Sequence, residues 1–313
     1  PAKEKAFVMR PLPERKEEDR ESWNYVTGLD RKKETTNKTL TVKESQFLLP
    51  YFEFSGACAG CGETPYAKLI TQLFGDRMMI SNSAGCTTVW GGSAPAVPYR
   101  KDKDGHGPAW GFSLFEDNAE YGLGMYLGYC AVRDELRSQI KRLRESLAVY
   151  AEGEKEEMLY TAICMWDDNY EVSGGTRKRA EELVNCLVQN LQKKGVQEIY
   201  ARKDFLIKRS NWIFGGDGWA YDIGFGGVDH VLAQNRDVNM LVLDTEVYSN
   251  TGGQSSKSTP TAAIAKFAAG GKNVKKKDLG AMLMNYGYVY VAQVAIGYDQ
   301  AQTLKAIREA EAY

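Results

Sequence analysis

Residues 211–253 read NWIFGGDGWAYDIGFGGVDHVLAQNRDVNMLVLDTEVYSNTGG. Two short apolar runs, NWIFGG and NMLVL, flank a stretch with helical spacing, YDIGFGGVDHVLAQN, and each run leads into a polar segment. Such alternation predicts parallel strands in an α/β fold, a mostly parallel sheet with helices on both faces. Two parallel strands joined by one helix bring their carboxyl ends to one edge, where open α/β sheets bind ligands. Asp217, between Gly216 and Gly218, then lies beside Thr245-Glu246-Val247-Tyr248-Ser249-Asn250. The flanking glycines let a ligand approach the main chain, and the following helix offers its first amides to an anion. A carboxylate, a threonine hydroxyl and a turn carbonyl suit a hard divalent cation that keeps phosphate oxygens in its shell. Magnesium takes about six oxygens, with only one or two from carboxylates.

The alternation extends outward in both directions. TAAIAKFAAG (261–270) is expected as a helix and YVYVAQVAI (288–296) as another strand, so the residues after Ile296 should join the same edge. Toward the start, RMMISNSAG (77–85) reads as a short buried strand running into a turn that carries Cys86. PYAKLITQLFG (65–75) reads as a helix ending at Gly75, and 91–112, rich in Gly and Pro, as a long loop covering a site or touching another domain. A long helix is expected from Asp117 to about Tyr150, a strand at LYTAICMW (159–166), and a helix at EELVNCLVQNLQKKG ended by Gly195. Residues 1–50 read as a connecting arm or linker, and 51–313 as the domain proper. The first residue is proline and the final LKAIREAEAY is a helix without a stop signal. Both ends read as cut, the domain as truncated at its C-terminus, and the chain as a piece of a longer polypeptide.

Composition narrows the chemistry. The chain has 313 residues, 43% of them hydrophobic and 26% charged, with a net charge of −1. That balance suits a globular protein with a sizeable core and gives no reason to expect nucleic acid or a membrane as partner. Only His106 and His230 are present, so histidine-rich metal sites and Ser-His-Asp centres have little to draw on. The six cysteines, at 58, 61, 86, 130, 164 and 186, are too sparse for a disulfide scaffold and point to a reducing, cytoplasmic setting.

Cys58 and Cys61 sit in the glycine-rich turn GACAGCGETP (56–65), and Cys86 follows 25 residues on. The spacing fits a structural zinc site, a redox dithiol, an iron–sulfur cluster or plain buried thiols. Cys130, Cys164 and Cys186 lie in helix or strand patterns and read as core thiols.

The GDG at 216–218, with Asn250 33 positions after Asp217, resembles the thiamine diphosphate motif. Together with GACAGCGETPYAKLITQLFGDRMMISNSAGCTTVWGGSAP and the run on to GGQSSKSTPTAAIAKFAAGGK, it resembles the C-terminal thiamine-binding domain of the pyruvate:ferredoxin (flavodoxin) oxidoreductases. The likeness runs from about Phe54 to the end and is weaker across roughly 145–205. It implies a thiamine-diphosphate-binding fold, with Asp217, the Thr245 hydroxyl and the Val247 carbonyl as magnesium ligands. Gly216, Asp217, Gly218, Trp219, Thr245, Glu246, Val247, Tyr248, Ser249 and Asn250 match its diphosphate-binding segments, and Glu63 a thiamine contact. Asn250 matches the residue facing the reacting carbon. Cys58, Cys61 and Cys86 match three ligands of the [4Fe–4S] cluster nearest the thiamine, and the fourth lies beyond Tyr313.

The implied reaction is oxidative decarboxylation of a 2-oxoacid, pyruvate in the usual case, to an acyl-CoA. Coenzyme A is the second substrate, ferredoxin or flavodoxin the electron acceptor, and the enzyme a homodimer. A thiamine adduct holding an electron pair beside a one-electron acceptor can be oxidised in two single steps, which accounts for both groups sharing one domain. The glutamate that activates the aminopyrimidine, the other substrate-binding residues, and the CxxCxxCxxxCP runs for two further clusters have no match here and belong to other parts of the polypeptide. A non-redox thiamine decarboxylase or transferase domain and a zinc-stapled interaction module are the rival readings. Iron content separates them from the first.

Overall fold

The computed structural model describes residues 9, 11–29, 41–93, 97–150 and 153–313. Parts of the expected arm (1–8, 10 and 30–40) and of the expected loop (94–96) lie outside the described residues. Its helices are α1 (Lys16–Gly28), α2 (Val42–Ser45), α3 (Thr64–Phe74), α4 (Cys86–Gly92), α5 (Asn118–Tyr150), α6 (Glu154–Asp168), α7 (Thr176–Gln189), α8 (Val196–Ala201), α9 (Phe225–Ala233), α10 (Leu279–Met284) and α11 (Gln300–Ala312). The strands are β1 (Met78–Ser83), β2 (Ala109–Ser113), β3 (Ser210–Gly216), β4 (Asn239–Leu243), β5 (Val247–Tyr248) and β6 (Gln254–Ser255).

Four strands form one parallel sheet in the order β2-β1-β3-β4. Period-two alternation sends neighbouring side chains of β3 to opposite faces. Trp212 and Phe214 join Met78, Ile80, Leu69, Ile70, Leu304 and Ile307 on one face, beneath α3 and α11. Ile213 joins Leu123, Val228, Val231 and Leu279 on the other, beneath α5, α9 and α10. Helices thus cover both faces, as the sequence predicts. Gly122 lets α5 lie close to the sheet, because a Cβ there would stand 2.6 Å from Ile213 Cγ1.

The remainder of α5 leaves the sheet and builds a second core with α6, α7 and α8, from Leu136, Ile140, Leu143, Leu159, Ile163, Leu183 and Leu187. This corrects the strand expected at 159–166, which lies in α6. Leu159, Ile163 and Trp166 recur at helical spacing and are all buried, a period hidden by the other apolar residues of that run. Residues 261–270 form no helix. Ala262 and Phe267 have φ of +66°, and the segment is held by turns and isolated bridges to its neighbours. Nor do residues 288–296 join a ladder. Ile296 N–H donates instead to Tyr66 Oη at 2.9 Å, so the sheet edge ends at β4. A β-prone run specifies side chains that suit a sheet but not a free strand edge to receive it. The expected loop at 91–112 contains the end of α4 and most of β2, which pairs in parallel with β1 despite its glycine.

At the amino-terminal edge of the sheet, α11 is fastened by one carboxylate. Glu311 accepts from Arg77 Nη2 at 2.5 Å, Ser210 Oγ at 2.6 Å, Trp212 Nε1 at 3.3 Å and Asn239 Nδ2 at 3.4 Å. The Arg77 and Glu311 side chains are only 10% and 9% exposed. Glu311→Ala strands the guanidinium in a dry setting, and we expect a loss of about 3 kcal/mol in urea unfolding followed by tryptophan fluorescence. A loss under about 1 kcal/mol would mean that water substitutes for the carboxylate.

Candidate functional site

The sheet order sends the chain from β1 to β2 on one side and later to β3 on the other, so the topological switch lies between β1 and β3. The crevice outside their carboxyl ends is where such sheets take ligands. A cleft open to solvent lies there. Ala84, Gly85 and Cys86 line it from the end of β1, Gly216, Asp217 and Gly218 from the end of β3, and Thr245, Val247, Tyr248, Ser249, Asn250 and Thr251 from beyond β4. Glu63 and Phe115 complete the wall.

Asp217 is 1% exposed. Its Oδ1 accepts from Thr245 Oγ1 at 3.1 Å, and Oδ2 accepts from Ser256 Oγ. The Thr245 hydroxyl also lies 3.1 Å from the Val247 carbonyl and 2.8 Å from Ser249 Oγ. The Thr245 proton can go to only one of its neighbours, and the Ser249 hydroxyl can donate in turn, so two hydroxyl protons are shared among a carboxylate oxygen, a carbonyl and each other. Burial raises the Asp217 pKa, and the hydrogen bonds from Ser256 and Thr245 only partly oppose it. An ionised carboxylate here therefore calls for a positive partner.

The main chain makes room for a ligand on one side and is closed on the other. A Cβ on Gly216 would meet only Leu243 O at 3.8 Å, whereas a Cβ on Gly218 would strike the Tyr248 ring. That ring stacks obliquely with Phe115, at 6.1 Å between centroids, and forms an apolar wall. Glu246, at φ +64°, turns the 245–250 loop back toward the cleft. Its side chain faces outward and pairs with Lys276 at 3.2 Å. The same lysine lies 2.7 Å from Asp244. Burial raises the Asp244 pKa, but hydrogen bonds from Lys276 and Ser258 outweigh it and hold this carboxyl below its ordinary value.

Glu63 stands where the cysteine turn enters α3, 5% exposed, and accepts from Trp90 Nε1 of α4 at 2.7 Å. Burial raises its pKa, the Trp90 bond opposes the shift, and Asp217 adds to it. Cys86 opens α4 and lines the cleft, while Cys58 and Cys61 stand on the turn outside it. Cys61 N–H donates to Cys58 O at 3.1 Å, and Glu63 N–H points to Cys61 Sγ at 3.4 Å. Burial pushes the Cys86 thiol up to about 11, with Glu63, Cys61 and Cys58 as contributors. The three thiols are thus electrostatic neighbours. The three do not all lie within 4.8 Å of one another; among the described residues only Asp102, Asp104 and His106 form a group that tight. A tetrahedral zinc ion with Zn–S of about 2.3 Å would hold its sulfurs about 3.8 Å apart.

Most residues singled out in the sequence therefore meet at one cleft. Trp219 does not line it. It is fully buried in the core beneath α5 and α9, so it can serve the 216–219 segment only through its main chain. Ser256, Phe115 and Trp90 were not foreseen. Ser256 lies in the run of small hydroxyls SSKST (255–259), a composition that signals local hydrogen bonding without naming its partner. Trp90 follows Cys86 by one helical turn, which would have placed it on the same face.

Residues 200–313 match the family described as thiamine pyrophosphate enzyme, C-terminal TPP binding domain. Over its whole length the chain is 56% identical to a pyruvate-flavodoxin oxidoreductase of Klebsiella pneumoniae and 52% identical to a pyruvate:ferredoxin oxidoreductase of Moorella thermoacetica, covering 26% and 27% of them. A pyruvate dehydrogenase (NADP+) of Cryptosporidium parvum is 46% identical over 98% of the chain, which covers 17% of that protein. The chain thus spans about a quarter, or less, of the length of these relatives.

Proposed function

Because the chain belongs to the family of the pyruvate-flavodoxin and pyruvate:ferredoxin oxidoreductases, carrying a thiamine-diphosphate-binding domain of them, we propose that it works as one segment of a longer enzyme. That enzyme decarboxylates a 2-oxoacid, pyruvate in the first instance, oxidatively to an acyl-CoA. It passes electrons through [4Fe–4S] clusters to ferredoxin or flavodoxin. The cytoplasm, a homodimer, and residues 1–50 as the connecting arm complete the proposal. No helix among the described residues is long and apolar enough to cross a membrane.

The observation that carries this reading is the meeting of Asp217 Oδ1, Thr245 Oγ1 and the Val247 carbonyl at the switch-point cleft. One carboxylate and two neutral oxygens fit magnesium, with room left for diphosphate oxygens. The open side of Gly216 admits those oxygens close to the main chain, while Phe115 and Tyr248 keep water from one wall. When bound, thiamine diphosphate supplies the carbanion chemistry by which a 2-oxoacid loses CO2. Asn250, at the cleft lining, is the side chain offered to the reacting end, and Glu63, locked by Trp90, is offered to the cofactor.

The cysteines support an iron–sulfur cluster. Two thiols on one turn and a third at the start of α4 suit a cluster held by cysteine thiolates, with a fourth ligand supplied from elsewhere in the enzyme. The amide of Glu63 aimed at Cys61 sulfur is the kind of hydrogen bond that tunes a cluster's potential. Relatives named for flavodoxin, ferredoxin and NADP+ share 46–56% identity with this segment, and we assign acceptor choice to the remainder of the enzyme.

Electron paramagnetic resonance on the full-length protein, purified without oxygen and mixed with pyruvate, tests the reading. An organic radical with a reduced iron–sulfur signal is expected. Iron that stays silent with pyruvate moves the substrate to another 2-oxoacid. Zinc in place of iron overturns the cluster, and thiamine binding without either metal favours a non-redox decarboxylase.

A further inference from the structure

Behind the cleft, a turn holds both halves of the oxygen set. Ser256 is 4% exposed, and its hydroxyl donates to Asp217 Oδ2. The same hydroxyl oxygen accepts from Ser258 N–H at 3.1 Å, so its one proton is directed at the carboxylate. Asp217 thereby has Oδ2 engaged from behind and Oδ1 turned toward Thr245 and Val247. Three residues on, Thr259 is 1% exposed and donates to the carbonyl of Glu246. That residue is the left-handed one that sets the path of the 245–247 loop.

The turn is itself fixed. Ser256 N–H donates to Thr259 Oγ1 at 2.9 Å, and Lys272 Nζ donates to the carbonyls of Ser256, Lys257 and Thr259 at 2.9, 3.0 and 2.6 Å. Three carbonyls gathered on one ammonium make a rigid back plate, which loose surface turns lack. Strand register brings Asp217 and the 245–247 loop level, and beyond the last paired residues, Gly216 and Leu243, their fine placement depends on the groups that span them. The turn at 256–259 does span them, one hydroxyl on each.

We propose that Ser256 is a positioning residue for the divalent cation of the diphosphate site, aiming Asp217 Oδ1, with Thr259 fixing the Val247 side of the same set. The proposal rests on the magnesium-and-diphosphate reading above. Partners of this kind commonly contribute 10–100-fold to metal affinity without touching the metal.

The test uses the full-length enzyme freed of magnesium and thiamine diphosphate by chelation and dialysis. Thiamine diphosphate binding is followed by quenching of tryptophan fluorescence while Mg2+, and separately Mn2+, is titrated. Ser256→Ala should raise the half-saturating metal concentration roughly 10–100-fold, with binding recovered at high metal. Ser256→Thr, which keeps the hydroxyl, should restore most of that loss, and Thr259→Val should shift the metal requirement in the same direction. Metal titrations of Ser256→Ala that overlay the wild type overturn the proposal. So does a lowered melting temperature of the metal-free protein with unchanged metal affinity, which marks a merely structural hydroxyl. A wild-type enzyme whose thiamine diphosphate binding ignores both metals overturns the magnesium reading itself, and is told apart by that control.

Discussion

Asp217→Asn is expected to weaken magnesium-dependent binding of thiamine diphosphate by about 100-fold or more, the largest effect of any single change in the cleft. Asp217 supplies the sole charge of the three-oxygen set, and its two oxygens already divide their work between Thr245 in front and Ser256 behind. An asparagine keeps the shape but can satisfy Ser256 only by turning its carbonyl away, which presents an NH2 to the cation. The substitution should not damage the fold. Burial raises the Asp217 pKa, so without a cation the ionised form is a cost to the folded state, and removing it leaves the metal-free protein at least as stable. Isothermal titration of the full-length enzyme with thiamine diphosphate at several magnesium concentrations gives the affinity, and the melting temperature of the metal-free form gives the fold. Binding within about threefold of wild type would remove Asp217 from the ligand set.

Cys86→Ser is expected to abolish one [4Fe–4S] cluster, about four irons per chain, together with its signal in pyruvate-reduced enzyme. Cys86 alone of the three thiols lines the cleft, and it opens α4, which also carries Trp90 toward Glu63. Serine is nearly the same size and keeps that geometry, so thiamine diphosphate binding should persist while electron transfer fails. Cys130→Ser is the matched control. Cys130 lies on α5, away from the cleft, and should lose no iron. Equal iron in the two variants would show that Cys86 is not a ligand, and stoichiometric zinc in the wild type would replace the cluster with a structural staple.

Much of the candidate site's geometry was legible in the sequence because it is local. The GDG between an apolar run and a helix, and the polar segment after the next run, each sit where a strand must end. Asp217 and Thr245 meet because two parallel strands in register, Trp212 to Asn239 through Gly216 to Leu243, bring their ends level. The cysteine turn was equally visible, since Gly56, Gly60 and Gly62 surround Cys58 and Cys61. The misread segments have the opposite character. The run 159–166 holds apolar residues at both strand and helix spacings, and only burial of Leu159, Ile163 and Trp166 selects the helix. Residues 261–270 have helical composition, yet their neighbours supply other hydrogen bonds.

The sequence by itself determined the fold class and the sheet edge at which the candidate cleft lies, because period, turn chemistry and strand ends are short-range properties of the chain. Only the tertiary structure decided that Ser256 stands behind Asp217, 39 residues away, that Trp90 locks Glu63, 27 residues away, and that Trp219 belongs to the core. It also ended the sheet at β4. Those outcomes depend on which surfaces and hydrogen-bonding groups are still unsatisfied once the rest of the chain has packed, and that is a property of the whole molecule.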